Sequence, residues 1–274
     1  MEIAVLLTCH NRKEKTVTCL DSLFNADLPS NYSLEVFLVD DGSTDETSEA
    51  IRKKFPQINI IEGNGNLYWN RGMHLAWKTA SNTNNYDFYL WLNDDVILFN
   101  DSIITMLNDY SKKSNSVICG TMISEVNGEI TYGGRCENSN LIEPNKKTPM
   151  KCHLINGNCV LISREIFHKT GFLDEFFHHA IGDFDYGLRV IKNGYECRVS
   201  TKNIGYCNDH IFLPEWCQKE HNLLKRIKSL YSPLGNSHPY YFFIYERRHF
   251  GLLKALKHFF SIHLRLIFPE LWTK

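Results

Sequence analysis

The sequence predicts an α/β fold, a mostly parallel sheet flanked by helices and followed by a helical C-terminal extension. Three observations predict it. Short apolar runs alternate with segments of helical spacing from residue 1 to about 95. Three of those runs stop at polar clusters, at residues 8–12, 40–45 and 93–95. Residues 219–274 instead carry apolar side chains at helical spacing without strand-like runs.

Each element follows in order. Residues 3–7 are apolar and read as a buried strand that feeds Thr8-Cys9-His10-Asn11-Arg12. Residues 13–26 place Val17, Leu20, Leu23 and Phe24 at helical spacing. Residues 34–39 are a second strand, closed by Asp40-Asp41-Gly42-Ser43. A strand, a helix and a parallel strand bring both C-terminal ends to one edge of a sheet. The alternation continues through a helix near 45–54, a strand at 58–62, a helix near 71–81 and a strand at 88–92. Ligands of open α/β sheets bind beyond the C-terminal ends of the strands, so the three polar termini are expected to converge on one crevice. Past residue 115 the pieces shorten: strands at 117–123 and 129–132, a polar loop at 136–150, and a strand at 159–163 that leads into a helix.

Composition narrows the class. With 274 residues, 43% hydrophobic and 13% aromatic, the chain is long enough for one large domain with an appendage, and nothing requires two independent ones. Nine cysteines, an odd number with no Cys-x-x-Cys pair, read as reduced thiols. A zinc site from Cys197, Cys207, Cys217 and His210 is the sharper alternative, but gaps of ten residues do not match the usual ligand spacings. The first residues lack a signal-peptide pattern, and no apolar stretch reaches spanning length, so a cytoplasmic protein is expected. Net charge is −1 yet uneven: residues 219–274 hold ten Lys/Arg against three Glu, and residues 1–218 hold twenty against twenty-eight Asp/Glu.

Three segments carry candidate chemistry. Asp40-Asp41-Gly42-Ser43-Thr44-Asp45 reads either as a capped turn or as a carboxylate placed to accept from the imide of uracil or thymine. In Asn93-Asp94-Asp95, two adjacent acids at the end of Phe88-Tyr89-Leu90-Trp91-Leu92 repel each other. A hard cation, Mg²⁺ or Mn²⁺, bridging a diphosphate would offset that cost, and a solvated turn is the plainer reading. In Gly182-Asp183-Phe184-Asp185-Tyr186-Gly187-Leu188-Arg189, Asp185 and Arg189 are four apart and can pair on a helix. That leaves Asp183, behind Phe176-Phe177-His178-His179, as the candidate base in a partly apolar pocket. Trp77 falls on an apolar helix face and is expected in the core. Trp69 and Arg71 lie beside the crevice.

Together these segments resemble the inverting family 2 glycosyltransferases. The resemblance covers about residues 1–215. It rests on Thr8-Cys9-His10-Asn11-Arg12, Val39-Asp40-Asp41-Gly42-Ser43, Gly65-Asn66 followed by Asn70-Arg71-Gly72, Asn93-Asp94-Asp95, and Gly182-Asp183 with Asp185 and Arg189. Gly157 before an apolar strand, and Gly171-Phe172-Leu173-Asp174-Glu175-Phe176-Phe177, make it most similar to the rhamnosyltransferase-like branch.

The resemblance implies a GT-A fold, with 1–218 as catalytic domain, its 1–115 half for the nucleotide-sugar and its 116–218 half for the acceptor. It implies that Asp41 contacts the base, that Asp94 lies at the ribose, and that Asp95 binds Mn²⁺ or Mg²⁺ with His210 as a further candidate. Asp183 would deprotonate the acceptor hydroxyl. Thr8, His10, Asn11, Arg12, Asn66, Trp69, Arg71 and Asn93 complete the donor set, and Gly157, Asn158 and Asp185 are assigned to the acceptor. Two positions depart from the family pattern, Asn93 where Asp is frequent and Gly182 where Glu is frequent. The implied reaction moves a sugar, possible donors being UDP- and dTDP-sugars with rhamnose among them, to a glycan or lipid-linked saccharide of a bacterial surface polysaccharide.

The extension at 219–274 reads as a basic amphipathic pair of helices, at 219–231 and 249–267. It is expected either to pack on the catalytic domain or to meet an anionic membrane at its inner face. Nucleic acid is not an expected partner. Two other classes compete: a sugar-phosphate nucleotidyltransferase, which would need a Gly-rich loop after the first strand where this chain has none, and an inactive sugar-binding scaffold.

Overall fold

The computed structural model describes residues 1–208, 213–235 and 237–272. Among these residues, twelve strands and nine α-helices succeed one another. The first half is β1 (Glu2–Cys9), α1 (Lys13–Asn25), β2 (Ser33–Asp40), α2 (Thr47–Lys54), β3 (Asn59–Glu62), α3 (Tyr68–Thr83), β4 (Phe88–Leu92), β5 (Ile97–Leu98) and α4 (Ser102–Lys112). The second is β6 (Ser116–Ile123), β7 (Ile130–Tyr132), β8 (Gly134–Arg135), β9 (Met150–Cys152), β10 (Leu154–Ile155), β11 (Cys159–Ser163), α5 (Arg164–Thr170), α6 (Gly182–Lys192) and β12 (Glu196–Tyr206). The extension holds α7 (Leu223–Leu230), α8 (Pro239–Phe250) and α9 (Leu252–Ile267).

Ten strands form one sheet along the path β3-β2-β1-β4-β11-β6-β12-β5, with β7 and β9 at its side, while β8 and β10 pair separately. The first four strands run parallel, and the register opposes Cys9 to Asp40 and Leu6 to Trp91. The polar segments after β1, β2 and β4 therefore leave the sheet at one edge. β11 is antiparallel to β4, with Cys159 opposite Leu92, so the chain just before β11 arrives at that same edge.

The apolar runs look continuous because both faces are covered. In β1, Ile3, Val5 and Leu7 face α1, α2 and α4 through Leu20, Leu23, Ile51 and Met106, whereas Ala4 and Leu6 face α3, α5 and α6 through Met73, Trp77, Phe167 and Tyr186. This is the two-residue period of a strand, packed on both sides. Each large side chain so buried contributes roughly 1.5 to 3 kcal/mol. Trp77 is fully buried, in the core where its helix face placed it.

Two elements differ from expectation. β12 was not legible, because Arg198, Ser200, Thr201, Lys202 and Asn203 interrupt its apolar character. It forms because its neighbours satisfy those groups: it runs parallel to β6, and the buried Asp109 carboxylate accepts from both N–H and hydroxyl of Thr201, at 2.7 and 3.0 Å. The helix expected at 249–267 is α9, which starts at Leu252 just after Gly251, and α8 before it was not expected. The aromatic run Tyr240-Tyr241-Phe242-Phe243 has no apolar period, yet it is helical because α8 packs on α6 through Tyr245, Leu188, Phe177 and Ile181. Among the described residues, no helix is long and apolar enough to cross a membrane. No disulfide joins the nine cysteines.

Candidate active site

The loop after β1 is locked to the loop after β2. The Asn11 N–H donates to Ser43 Oγ at 2.9 Å, and Asn11 Oδ1 accepts from the Thr44 N–H at 2.7 Å. His10 Nδ1 lies 2.6 Å from the Asp41 carbonyl. Asp40 caps the turn, accepting from the Ser43 N–H at 2.9 Å and from the Ser48 hydroxyl. Thr8 is buried at the end of β1.

Asp41 is buried and heavily used. Its Oδ1 accepts from the Gly65 N–H at 2.8 Å, and its Oδ2 accepts from the N–H groups of Leu67 and Tyr68 at 2.8 and 2.9 Å. Those bonds fold the 63–68 loop over the strand ends, and a base imide would have to use the second lone pair of Oδ1. Asn66, in that loop, is exposed and among the described residues bonds only to Asn64.

The acids after β4 face the Arg12 guanidinium. Arg12 Nη1 lies 3.1 Å from Asp94 Oδ1 and 2.9 Å from Asp95 Oδ2. Burial pushes the Asp94 carboxyl up to about 7, against the pull of Arg12 and with a further push from Asp95. Asp94 Oδ2 is buried without a hydrogen-bond partner among the described residues. Asp95 is partly exposed, and among the described residues its Oδ1 receives only the weak Cys207 thiol, at 3.6 Å. Two oxygens with unspent capacity on adjacent carboxylates fit a hard divalent cation. The thiol neighbour does not compete, since burial beside Asp95 keeps Cys207 protonated. Among the described residues, no group of three or more His, Cys, Asp or Glu is arranged to hold a metal ion, and the zinc alternative is not assembled there. His210 lies outside the described residues.

The base candidate sits at the start of α6. Asp183 Oδ2 accepts from the Gly157 N–H at 2.9 Å, and its Oδ1 accepts from the Phe184 N–H at 2.8 Å. Burial nevertheless pushes its carboxyl up to about 6, the two amides only partly offsetting it. Trp69 links this corner to the acids. Its indole N–H donates to Asn93 Oδ1 at 2.7 Å, and its ring lies against Gly157, where a Cβ would come within 2.5 Å of ring atom Cη2. The Asn158 carbonyl accepts from the Asn93 N–H at 2.9 Å. Asn93, Trp69, Gly157 and Asp183 thus form one unbroken chain of contacts at this edge of the sheet.

The remaining assignments fare differently. Asp185 has no exposed surface. It is fully buried between Arg189 Nε at 2.8 Å, Arg248 Nη1 at 2.7 Å and His249 Nε2 at 2.8 Å, so its carboxylate is spent and an acceptor role is corrected to an architectural one. The Arg71 Nε–H donates to the Glu175 carbonyl at 2.8 Å, tying α3 to the loop before Asp183. Gly182 is a packing requirement: a Cβ there would fall 1.7 Å from Asn70 Oδ1. Asn70 in turn holds that loop through the carbonyls of Asp174 and Phe177, at 2.7 and 2.8 Å.

Several neighbours had no legible signal. Arg135, which bonds Asn156 Oδ1 at 3.2 Å, is close enough to pull on the Asp183 carboxyl. Tyr241, on α8, bonds His178 Nδ1. Arg248 and His249 grip Asp185 from the extension. Only the cluster Arg247-Arg248-His249 in an otherwise apolar run hinted at the last two.

A doubly covered, mostly parallel sheet that gathers acids beyond β2 and β4 and a half-buried Asp at the head of α6 is the GT-A-like architecture of nucleotide-sugar glycosyltransferases. The chain belongs to glycosyl transferase family 2, whose model matches residues 4–171. It is 22% identical over 205 residues to the N-acetylglucosaminyl-diphospho-decaprenol L-rhamnosyltransferase of Mycobacterium tuberculosis, which covers 63% of this chain and 66% of that protein. It is 28% identical over 112 residues to the poly-beta-1,6-N-acetyl-D-glucosamine synthase of Staphylococcus epidermidis, spanning only 26% of that relative's length and 40% of this chain. Its fold matches S. aureus TarS 1–349 in complex with UDP-GlcNAc, with a TM-score of 0.60 at 15% identity over 100% of this chain and 76% of that one. It also matches the mannosyltransferase PcManGT of Pyrobaculum calidifontis in complex with GDP-Man and Mn²⁺, with a TM-score of 0.56 at 16% identity over 96% and 69%.

Proposed function

We propose that this chain is an inverting, metal-dependent glycosyltransferase of bacterial surface polysaccharide synthesis. It takes a UDP- or dTDP-sugar, rhamnose being one candidate, and delivers it to a saccharide or lipid-linked saccharide acceptor. The observation that carries the reading is the contact chain from Asn93 through Trp69 and Gly157 to Asp183, which ties the acid corner to a carboxylate whose affinity for a proton is raised. The structural relatives hold UDP-GlcNAc and GDP-Man with Mn²⁺, and the mycobacterial relative is a rhamnosyltransferase.

In this proposal residues 1–115 bind the donor, 116–218 the acceptor, and 219–274 is the basic extension. Thr8, His10, Asn11, Asp41, the 63–67 loop and the first turn of α3, with Trp69 and Arg71, form the nucleotide side. Asp95, with Asp94 beside it, would hold Mn²⁺ or Mg²⁺, which when bound stabilises charge on the departing diphosphate. Arg12 supplies a fixed positive charge in the same corner. Asp183 takes the proton of the acceptor hydroxyl while that oxygen bonds to the anomeric carbon. The bond from that carbon to the diphosphate breaks on the opposite face, and its electron pair leaves with the nucleotide, which inverts the anomeric centre. Asn158 and Gly157 border the acceptor side. The reaction is placed in the cytoplasm, at the inner face of the membrane.

Thermal stabilisation by UDP, dTDP and GDP, each with and without Mn²⁺ or Mg²⁺, tests this. A metal-dependent shift for one diphosphate, lost in Asp95→Ala, is expected. No shift with any of the three would sink the donor site and bring the scaffold reading forward.

A further inference from the structure

The extension presents an apolar stripe to solvent. On α9, Leu253, Phe260, Leu264 and Ile267 are spaced by seven, four and three residues and so share one helix face. Leu253 is 83% exposed, Phe260 65%, and the other two are at least half exposed. The opposite face buries Ala255 and Leu266 against the rest of the protein. α9 is thus apolar on two sides, the pattern of a helix with neighbours on both. α7 packs beside it and exposes Leu223 and Leu224, and Phe268 follows its end.

Charge identifies the missing neighbour. The three helices of the extension carry eight Lys/Arg against one acid, Glu246, which is buried and held by His258 at 2.5 Å. Their exposed charge is therefore wholly positive, and Lys254 and Lys257 are exposed beside the stripe itself. A second copy of the chain would bring like charge onto like charge across a two-fold interface. A bilayer rich in anionic head groups complements both features at once.

We propose that the α7–α9 face seats this protein on an anionic lipid surface. Leu253, Phe260, Leu264 and Ile267 enter the acyl boundary, and Lys254 and Lys257 meet the head groups. This names the contact that the proposed location requires, but the test below involves no turnover and no nucleotide, so either reading can fail without the other.

The experiment is co-sedimentation of the protein with vesicles of phosphatidylcholine alone or with about one third phosphatidylglycerol. Binding to the anionic vesicles only, weakened by high salt, is expected. Leu253→Ser/Phe260→Ser and Lys254→Ala/Lys257→Ala should each lower the partition coefficient roughly tenfold or more, with unchanged melting temperatures because the positions are exposed. Binding to neither vesicle, or equal binding by the variants, overturns the proposal. A lipid-free dimer that the Leu253→Ser/Phe260→Ser variant converts to monomer overturns it in favour of a second copy. A lowered melting temperature in that variant overturns it in favour of packing within the chain.

Discussion

His249 Nε2 lies 2.8 Å from Asp185 Oδ1, joining the end of α8 to the helix that begins beside Asp183. The same carboxylate binds Arg189 and Arg248, and Arg248 also reaches Asp174 Oδ2 at 2.8 Å. The extension is therefore fastened through a buried ionic cluster to the element that carries the proposed base. Removing the carboxylate charge leaves His249 buried without its ionic partner, while Arg189 and Arg248 are partly exposed and Arg248 keeps Asp174, so Asp185→Asn should cost about 1 to 3 kcal/mol in urea unfolding. Burial alone would raise this carboxyl, but His249, Arg189 and Arg248 outweigh it and hold it at about 2. Its native value lies below the unfolded one, so its stabilisation is complete above the ordinary carboxylate range and is lost as pH falls through about 2. Acid unfolding between about pH 4 and 2 should be shallower in Asp185→Asn; equal slopes would show that the cluster is not what titrates.

Asp183 has the opposite sign. Its carboxyl, raised to about 6 by burial, is protonated below that pH and cannot accept the acceptor proton. Turnover should fall as pH drops through about 6 and level off above it. Asp183→Asn should reduce kcat about a hundred- to ten-thousand-fold with donor affinity retained. A variant that keeps the wild-type pH profile would remove Asp183 from the chemistry.

The acid corner makes a chelation prediction. EDTA should abolish transfer and Mn²⁺ restore it, while Asp95→Ala should stay inactive at any Mn²⁺ concentration. Turnover indifferent to EDTA would instead leave the Arg12 guanidinium, 2.9 Å from Asp95 Oδ2, as the cation that serves this corner.

Two glycines separate packing from catalysis. Gly182→Ala would drive a methyl into the Asn70 side chain, which holds the 174–177 loop, and should destabilise the fold by about 1 to 3 kcal/mol. Gly157→Ala meets the Trp69 ring edge at 2.5 Å and Asp183 Cβ at 3.3 Å, and should lower kcat more than it lowers the melting temperature. If the two variants lost kcat and stability in the same proportion, the Trp69–Gly157 contact would be ordinary packing.

Much of the first half was readable from local pattern. The strand at 88–92 and the strand at 159–163 have the bounds expected of them, and the helix at Lys13–Asn25 begins where the helical spacing of Val17, Leu20 and Leu23 placed it. Strand ends that carry Asn93-Asp94-Asp95 and Asp40-Asp41 were equally plain. α8 and β12 were not, because aromatic and polar runs carry no period and take their structure from the helix and strand they pack against.

What the sequence by itself determined is the alternation of strand and helix, the edge at which the acids collect and the family that this order of motifs resembles. Those properties are periodic or contiguous, so they are written within a few residues. Only the tertiary structure decided how the acids are used. Asp183 and Asp185 are two positions apart on one helix, yet one meets a loop twenty-six residues away and the other an arginine and a histidine more than sixty residues away. Burial and the partners brought by distant chain raise the first carboxyl and depress the second. Likewise Gly182 departs from the family pattern for a reason found only in Asn70, which the fold presses against it.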